Sequence, residues 1–251
     1  MSAPCRPEEL LIGVVAELIG RVRHVAVGAL SPIPAAAALL GARRHDGMRV
    51  SILNSRRHSF FTDGGRELFD CAGQGRIDAF FLSGGQIDGA GNVNLVAIGD
   101  YEKPKARFSG SFGSAYLYYV VPKVILFRLE HTNRTLVEKV DFVSAPGTSP
   151  AGTYRPGGPH ALVTELCVFH FDRQAGRFTL ASLHPGVTLD QVRDRTGFAF
   201  EAPEIVPTTA FPSDEDLALL RGAVAQDLAE TYPTFAADVL GWHAPSGETV
   251  R

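Results

Sequence analysis

Three cysteines in 251 residues, Cys5, Cys71 and Cys167, stand far apart in the sequence. That spacing gives neither a disulfide framework nor a paired metal motif, and a reducing cytosol is the simpler expectation. Neither sign of charge is in large excess. Lys and Arg number 24 against 27 Asp and Glu, a formal net charge of −3, so there is no electrostatic footprint for nucleic acid. No apolar run approaches the ~20 residues of a membrane span. The first residues lack a basic segment followed by an apolar one, so no signal peptide is expected and the cytoplasm is the expected location. No two histidines have metal-ligand spacing, and no metal site is expected. Internal repeats and low-complexity stretches are also missing.

What remains is an ordinary globular composition, 45% hydrophobic and 20% charged, within the usual range. The length suffices to bury a full core as one large α/β domain or two small ones. We take residues 1–251 as a single domain with a loose tail over 242–251.

The chain is organised around residues 84–114. A mostly apolar run at 77–82 reads as a buried strand and ends at Gly84 and Gly85, where backbone can approach a neighbour closely. Asp88-Gly89-Ala90-Gly91-Asn92 is turn chemistry. Gly110-Ser111-Phe112-Gly113-Ser114 is a second glycine-rich turn ahead of an apolar run. Turns of this kind expose backbone N–H groups that can cradle an anion or an oxyanion.

Along the rest of the chain, Pro7–Ile19 has helical apolar spacing with Glu8 and Glu9 in its first turn. Residues 24–28 read as a short buried strand. Residues 32–40 read as an alanine-rich helix opened by prolines and ended by Gly41. Residues 48–53 form a second strand, 54–65 a polar, basic loop, and 66–73 a short helix. Strands alternating with helices predict a parallel sheet covered on both faces. Residues 116–121 end either a helix or a strand. Strands follow at 124–127 and 137–143, then a Gly/Pro-rich loop at 148–159. Residues 161–170 are strongly β-like and pair with 177–183 across a turn. Residues 189–196 are helical, and 214–221 form an amphipathic helix capped by Ser213. His170 reads as a strand histidine, His184 as structural, and Cys71 and Cys167 as small buried hydrophobes.

Several pieces recur together in order and spacing: Gly84-Gly85-Gln86-Ile87-Asp88, Gly91-Asn92-Val93-Asn94, Ile98-Gly99-Asp100-Tyr101 and the run from Lys103 to Ser111. In these the sequence resembles the β subunit of family I CoA-transferases, especially glutaconate CoA-transferase. The resemblance continues through 139–147, 183–188, Thr196-Gly197-Phe198 and 214–221, and covers most of the chain. It implies an α/β fold, an open and mostly parallel sheet with helices on both faces, as in CoA-transferases. It also implies a coenzyme A thioester as substrate, no covalently bound cofactor, and a homologous α subunit as partner.

The resemblance further implies a glutamate just after the second strand, whose carboxylate attacks the thioester and becomes a glutamyl-CoA thioester. Asn54 occupies that place. No carboxylate lies between Met48 and Thr62, and Asp63 is the first. The segment from this strand to Gly84 is also shorter than the family pattern. An amide cannot be this nucleophile, which leaves three explanations. The α subunit supplies a carboxylate, as in a steroid-ring hydrolase branch that cleaves a carbon–carbon bond in a cyclic ketone acyl-CoA. Or the chain serves another acyl-CoA reaction. Or it is a non-catalytic assembly subunit. A sugar-phosphate isomerase of the same fold would need a phosphate nest and a carboxylate base that the sequence does not display.

The site expectations follow. Gly113 offers an oxyanion N–H, with Gly110, Ser111, Phe112 and Ser114 around it; Phe112 replaces a glycine of the family pattern. Gly84, Gly85, Gln86, Asn92 and Asn94 line the acyl-CoA site, or the asparagines satisfy turn backbone. Arg56, Arg57 and His58 contact a carboxylate, or form a plain exposed loop. Asp100 and Arg107 pair structurally. Lys103 and Lys105 meet CoA phosphates or are solvated charge.

Overall fold

The computed structural model describes residues 5–243, which form two compact units. One holds residues 5–68 and 210–243, the other residues 69–209. In chain order the first unit contributes α1 (Pro7–Ile19), β1 (His24–Val27), α2 (Pro32–Arg44) and β2 (Arg49–Ile52). Helix α3 (Gly64–Gly73) carries the chain into the second unit. There follow β3 (Ala79–Leu82) and two short antiparallel ladders, β4 (Gln86–Ile87) with β5 (Val93–Asn94) and β6 (Ala97–Ile98) with β7 (Ala106–Arg107). Next come α4 (Ser114–Val120), β8 (Lys123–Phe127), β9 (Pro159–Val163), β10 (Cys167–Asp172), β11 (Arg177–Leu183) and α5 (Leu189–Arg195). The chain returns to the first unit with α6 (Asp214–Leu219), a π-helical turn (Leu220–Val224), α7 (Ala225–Leu228) and α8 (Pro233–Asp238).

The pairs β1–β2, β3–β8 and β8–β9 are parallel, whereas β9–β10 and β10–β11 are antiparallel. The fold is therefore α/β with a mostly parallel sheet, as the sequence pattern predicts. No described helix is long and apolar enough to cross a membrane. The expected loose tail lies, from residue 244 on, outside the described residues; Trp242 still donates its N–H to the Ala236 carbonyl at 3.0 Å.

In the first unit, all four residues of β1 are buried, which is why the strand reads as an unbroken apolar run. Buried Glu9 on α1 takes both prongs of Arg221, Nε at 2.7 Å and Nη2 at 2.9 Å. That bidentate pairing is what lets a carboxylate leave water. Ser213 caps α6 by accepting the Asp216 N–H, and the Asp216 carboxylate takes Arg44 from α2 at 2.8 Å. Helix α2 does not stop at Gly41. It runs on to Arg44, and Gly41 sits inside it because Met48 Cε would lie 3.1 Å from any added Cβ.

In the second unit two strand expectations fail for a common reason: the backbone finds other partners. Residues 137–143 form no strand. Their N–H groups go to the 84–98 loop instead, Val137 to the Ile87 carbonyl at 2.9 Å and Asp141 to Gln86 Oε1 at 3.0 Å. The run at 161–170 is two strands. The Thr164 hydroxyl takes the N–H groups of Leu166 and Cys167, both at 3.2 Å, and turns the chain between β9 and β10. Residues 116–121, left open by the sequence, lie in α4 up to Val120.

The same Thr164 hydroxyl is 2.8 Å from Nδ1 of fully buried His131, whose Nε2 is 2.8 Å from Thr196 Oγ1. Thr196 donates its own proton to the Val192 carbonyl at 2.7 Å. It must therefore accept from His131, which fixes the neutral tautomer with the proton on Nε2. Burial, reinforced by the charges of Arg195 and His184, lowers the His131 pKa from 6.5 to about 4.

Two outcomes are expected. The unfolded chain takes up a proton at His131 near pH 6.5 and the folded chain only near pH 4. Stability is therefore unaffected above pH 6.5 and falls as pH drops through that window, by a total of about 3 kcal/mol from this group. Urea melts at pH 7 and pH 5, with NMR titration of the His131 ring, check this; a ring that titrates near 6.5 in the folded chain contradicts it. Second, Gly147→Ala would drive its Cβ to 2.1 Å from the Ala90 carbonyl oxygen, a backbone overlap expected to cost at least ~2 kcal/mol. Gly222→Ala, with nothing within 4 Å, is the control, and its urea midpoint stays level or rises.

Candidate functional site

Cavity-forming residues in the second unit come from the carboxyl ends of two neighbouring parallel strands. Ser83, Gly84 and Gly85 follow β3, and Arg128 and Glu130 follow β8. With Ser109, Gly110, Arg134 and Thr135 they line a cavity of about 500 Å³, within the size range of small-molecule sites. The carboxyl end of a parallel sheet is where loops diverge and leave room for ligands.

The glycines of this wall are required by packing. A Cβ on Gly85 would fall 2.0 Å from the Phe108 ring, and one on Gly84 would fall 2.4 Å from Val93 Cγ1. The Gly85 N–H is also committed, donating to the Asn94 carbonyl at 2.9 Å. It is thus not an open anion donor, as a glycine turn alone suggests.

Gln86, Asn92 and Asn94 point their polar groups into the loop itself. Buried Asn94 donates to Gln86 Oε1 and to the Ala97 carbonyl, both at 2.7 Å. Gln86 Nε2 donates to Asp141 Oδ2 at 3.0 Å, and that same oxygen takes the Gly99 N–H at 2.8 Å. Buried Asp88 accepts the N–H of Ala90 at 3.1 Å and of Asn92 at 3.0 Å, and the Asn92 amide at 3.1 Å. These side chains hold the turn that brings Gly84 and Gly85 to the cavity. Asp141, which no sequence signal marks, completes the network from 55 positions away.

The second glycine turn has unusual backbone. Gly110, Phe112 and Gly113 have φ of 107°, 40° and 69°. Positive φ at a phenylalanine is strained, and its ring is 70% exposed while resting 5.5 Å from that of Phe69. Among the described residues, the N–H groups of Phe112 and Gly113 make no hydrogen bond within the chain. Gly110 lines the cavity; Gly113 does not, and Phe69 Cζ lies 2.5 Å from where its Cβ would be. Ser114 Oγ is buried without a partner.

Asp100 and Arg107 do not pair. Asp100 accepts the N–H groups of Glu102 and Lys103, and Arg107 donates to the Tyr101 carbonyl at 2.8 Å. Lys103 and Lys105 are exposed.

In the first unit Asn54 follows the carboxyl end of β2, exposed and with φ of 73°. The turn beyond it closes on itself, with Ile52 N–H to the His58 carbonyl at 2.7 Å and His58 N–H to Ser55 Oγ at 2.9 Å. Glu230 then clamps it, accepting from Ser55 Oγ at 2.7 Å and from Arg56 N–H at 2.9 Å. Burial opposes ionisation of Glu230, but its bonds to Ser55, Arg56 and Thr231 prevail and hold its pKa below the usual carboxylate value. So a carboxylate does reach this loop, from 175 positions away. No sequence signal links Ser55 to Glu230. Arg56 and Arg57 are exposed, and His58 faces Asp227 with Nε2 at 3.9 Å.

The family model described as coenzyme A transferase matches residues 35–195. The β chain of 3-oxoadipate CoA-transferase from Pseudomonas knackmussii is 38% identical over 161 residues, 62% of each chain. The β chain of glutaconate CoA-transferase from Acidaminococcus fermentans is 34% identical over 56% of this chain and 54% of that one. The cholesterol ring-cleaving hydrolase IpdB chain of Rhodococcus jostii is 35% identical over 62% of each. The matched region thus spans less than two thirds of these relatives' lengths. Among solved structures, IpdAB of Rhodococcus jostii RHA1 superposes with a TM-score of 0.74 at 26% identity, covering 88% of this chain and 94% of that chain. The Acidaminococcus fermentans glutaconate CoA-transferase gives 0.74 at 24% identity over 87% and 94%, which speaks for the fold.

If Glu230 is the clamp, Ser55→Ala or Glu230→Ala frees the 54–58 turn, and trypsin cuts after exposed Arg56 and Arg57 roughly 10- to 150-fold faster. That range corresponds to one lost hydrogen bond to a charged group. Mass spectrometry of the fragments reads this directly. Unchanged cleavage in both variants contradicts the clamp.

Proposed function

The chain belongs to the coenzyme A transferase family, and on that premise we propose that it is the β-type subunit of a two-chain enzyme acting on an acyl-CoA thioester. The observation that carries this is the cavity at the carboxyl ends of β3 and β8, walled by Gly84, Gly85 and Gly110 of the glycine-rich stretch. The partner is a homologous α chain, and the setting is the cytoplasm.

Acyl-CoA chemistry at such a site needs two things from the protein: stabilisation of the thioester oxygen as it gains charge, and an attacking oxygen. For the first, the donors are the unspent N–H groups of Phe112 and Gly113, two and three residues past cavity-lining Gly110, with Ser111 and Ser114 shaping the turn. Successive backbone amides in a turn can form an anion-binding concavity. For the second, Asn54 cannot act, because an amide oxygen is not a viable nucleophile here. Glu230 is held by Ser55, Arg56 and Thr231, so it serves as a clamp. The nucleophilic carboxylate, or the base that activates water, therefore comes from the second chain. Arg56 and Arg57, exposed beside Asn54, suit a carboxylate on that chain or on the substrate.

This arrangement also favours a second reading, an acyl-CoA hydrolase of the ring-cleaving kind, since a relative at 35% identity carries that name. It differs from the first in the group that moves: in transfer a free acid takes over CoA and the original acyl group leaves as the acid, whereas in hydrolysis water adds to the acyl or ring carbonyl carbon. A non-catalytic assembly role is the remaining alternative.

The test is turnover of CoA thioesters by the protein purified together with the homologous chain that accompanies it. Exchange of label between free acid and acyl-CoA marks a transferase. Net hydrolysis, or ring opening with CoA retained, marks a hydrolase. A complex that binds no CoA thioester overturns the proposal.

A further inference from the structure

Phe112 combines a strained backbone with an unburied ring. Its φ of 40° is one that a bulky L residue adopts only under strain. Its side chain does not recover that cost by burial, since the residue is 70% exposed. Glycine, the residue of the family pattern at this place, would take the same backbone freely. Residues held in such backbone regions cluster at active sites and ligand clamps.

The ring does not stand alone. It lies 5.5 Å from the Phe69 ring of α3 at an interplanar angle of 45°, and Phe69 meets Tyr116 of α4 edge-on at 6.1 Å. Phe69 packs against the turn so closely that a Cβ on Gly113 would fall 2.5 Å from its Cζ. Tyr116 is seated against α3 where Gly73 lacks the Cβ that would overlap its hydroxyl, and it is 42% exposed. The three side chains form an aromatic surface on which Phe112 and Tyr116 remain open to solvent.

The backbone beneath this surface points to what covers it. The N–H groups of Phe112 and Gly113 are unspent, and the hydroxyl that follows, Ser114 Oγ, is buried without a hydrogen-bond partner. An oxygen held by the Phe112 amide sits about 2.9 Å from its nitrogen. The Phe112 side chain, on the same Cα, is then among the first groups met by the molecule that carries that oxygen.

We infer that Phe112 is a specificity-determining residue: its ring, braced by Phe69 and Tyr116, is the platform for an apolar acyl group whose thioester oxygen takes the Phe112 and Gly113 amides. The inference rests on the acyl-CoA reading above and adds to it the class of acyl group favoured, one with a flat, apolar body beside the thioester. Such a group gains the offset or edge-on contacts that aromatic pairs prefer, and covering the platform takes exposed apolar surface out of water. A short acyl group such as acetyl reaches the amides and leaves the rings bare.

The experiment measures dissociation constants of phenylacetyl-CoA, acetyl-CoA and free CoA by calorimetry, with the full chain alone and together with the chain that co-purifies. The wild type is expected to bind phenylacetyl-CoA at least ~10-fold more tightly than acetyl-CoA, the scale of one phenyl group packed on an aromatic partner. Phe112→Ala, which removes the ring, and Phe112→Gly, which also frees the backbone, bring that ratio close to one, whereas Phe112→Tyr keeps it. Phe112→Gly leaves the urea midpoint level or higher, because strain is released and little buried surface is lost. A lower midpoint would make the ring a packing residue and overturn the inference. Loss of the co-purifying chain in Phe112→Gly would make the ring part of a subunit contact and overturn it as well. Equal binding of phenylacetyl-CoA and acetyl-CoA by the wild type overturns the platform and leaves the acyl-CoA reading standing. Failure of all three CoA compounds to bind either form of the protein overturns both.

Discussion

Buried polar side chains must find partners inside the protein, and residues 84–98 are built around that constraint. Gln86, Asp88 and Asn94 are all buried, and each unpaired group would cost about 1–3 kcal/mol. Their solution is mutual. Asn94 bonds Gln86, Gln86 bonds Asp141, and Asp88 gathers the amides of its own turn. The long segment between β8 and β9 follows from this. It forgoes strand pairing and wraps the loop, giving Asp141 N–H to Gln86 and the Ser144 N–H to the Val93 carbonyl. The wrap is close enough that Gly147 must lack a side chain against Ala90. Partly satisfied networks of this kind are unstable, so the glycine wall of the cavity inherits its geometry from amide groups that never face the cavity.

The cavity itself owes its place to sheet topology. Parallel strands β3 and β8 end side by side, and the chain leaves them in different directions, toward Gly84 and toward Arg128. Glycine and serine backbone, the apolar side chains of Leu95, Ile98 and Phe108, and the charged Arg128, Glu130 and Arg134 all line the cavity. The three buried side-chain atoms without a hydrogen-bond partner among the described residues are His58 Nε2, Ser114 Oγ and Arg128 Nε. One lies in the turn after Asn54, one follows the strained glycine turn and one lines the cavity. Polar groups left unsatisfied in a folded protein are expected where a partner arrives from outside.

The sequence was informative where structure is local. Apolar periodicity placed α1, β1, β2 and α6 within a residue or two, and the Ser213 cap was readable from its spacing. It misled where tertiary partners replaced local ones. The 137–143 run has strand composition, yet its amides are claimed by Gln86 and Asp88. Gly41 looks like a stop signal, yet it is a packing glycine against Met48. The candidate site shows the same split. The glycine turns and the missing carboxylate at Asn54 were visible from residue types alone. The Glu230 clamp and the Arg128–Glu130–Arg134 wall were not. The clamp joins distant positions, and the wall follows an ordinary strand with charges at irregular intervals.

The central claim is that an acyl-CoA thioester binds across the Gly84–Gly110 cavity with its oxygen toward the 110–113 turn. The most direct measurement is backbone amide exchange, followed by mass spectrometry, in the presence and absence of saturating acetyl-CoA. The account predicts that residues 109–114, whose Phe112 and Gly113 amides have no partner in the free chain, exchange markedly more slowly when the thioester is bound. Bound acetyl-CoA that leaves 109–114 exchanging at the free rate, with protection confined to other segments, would contradict it.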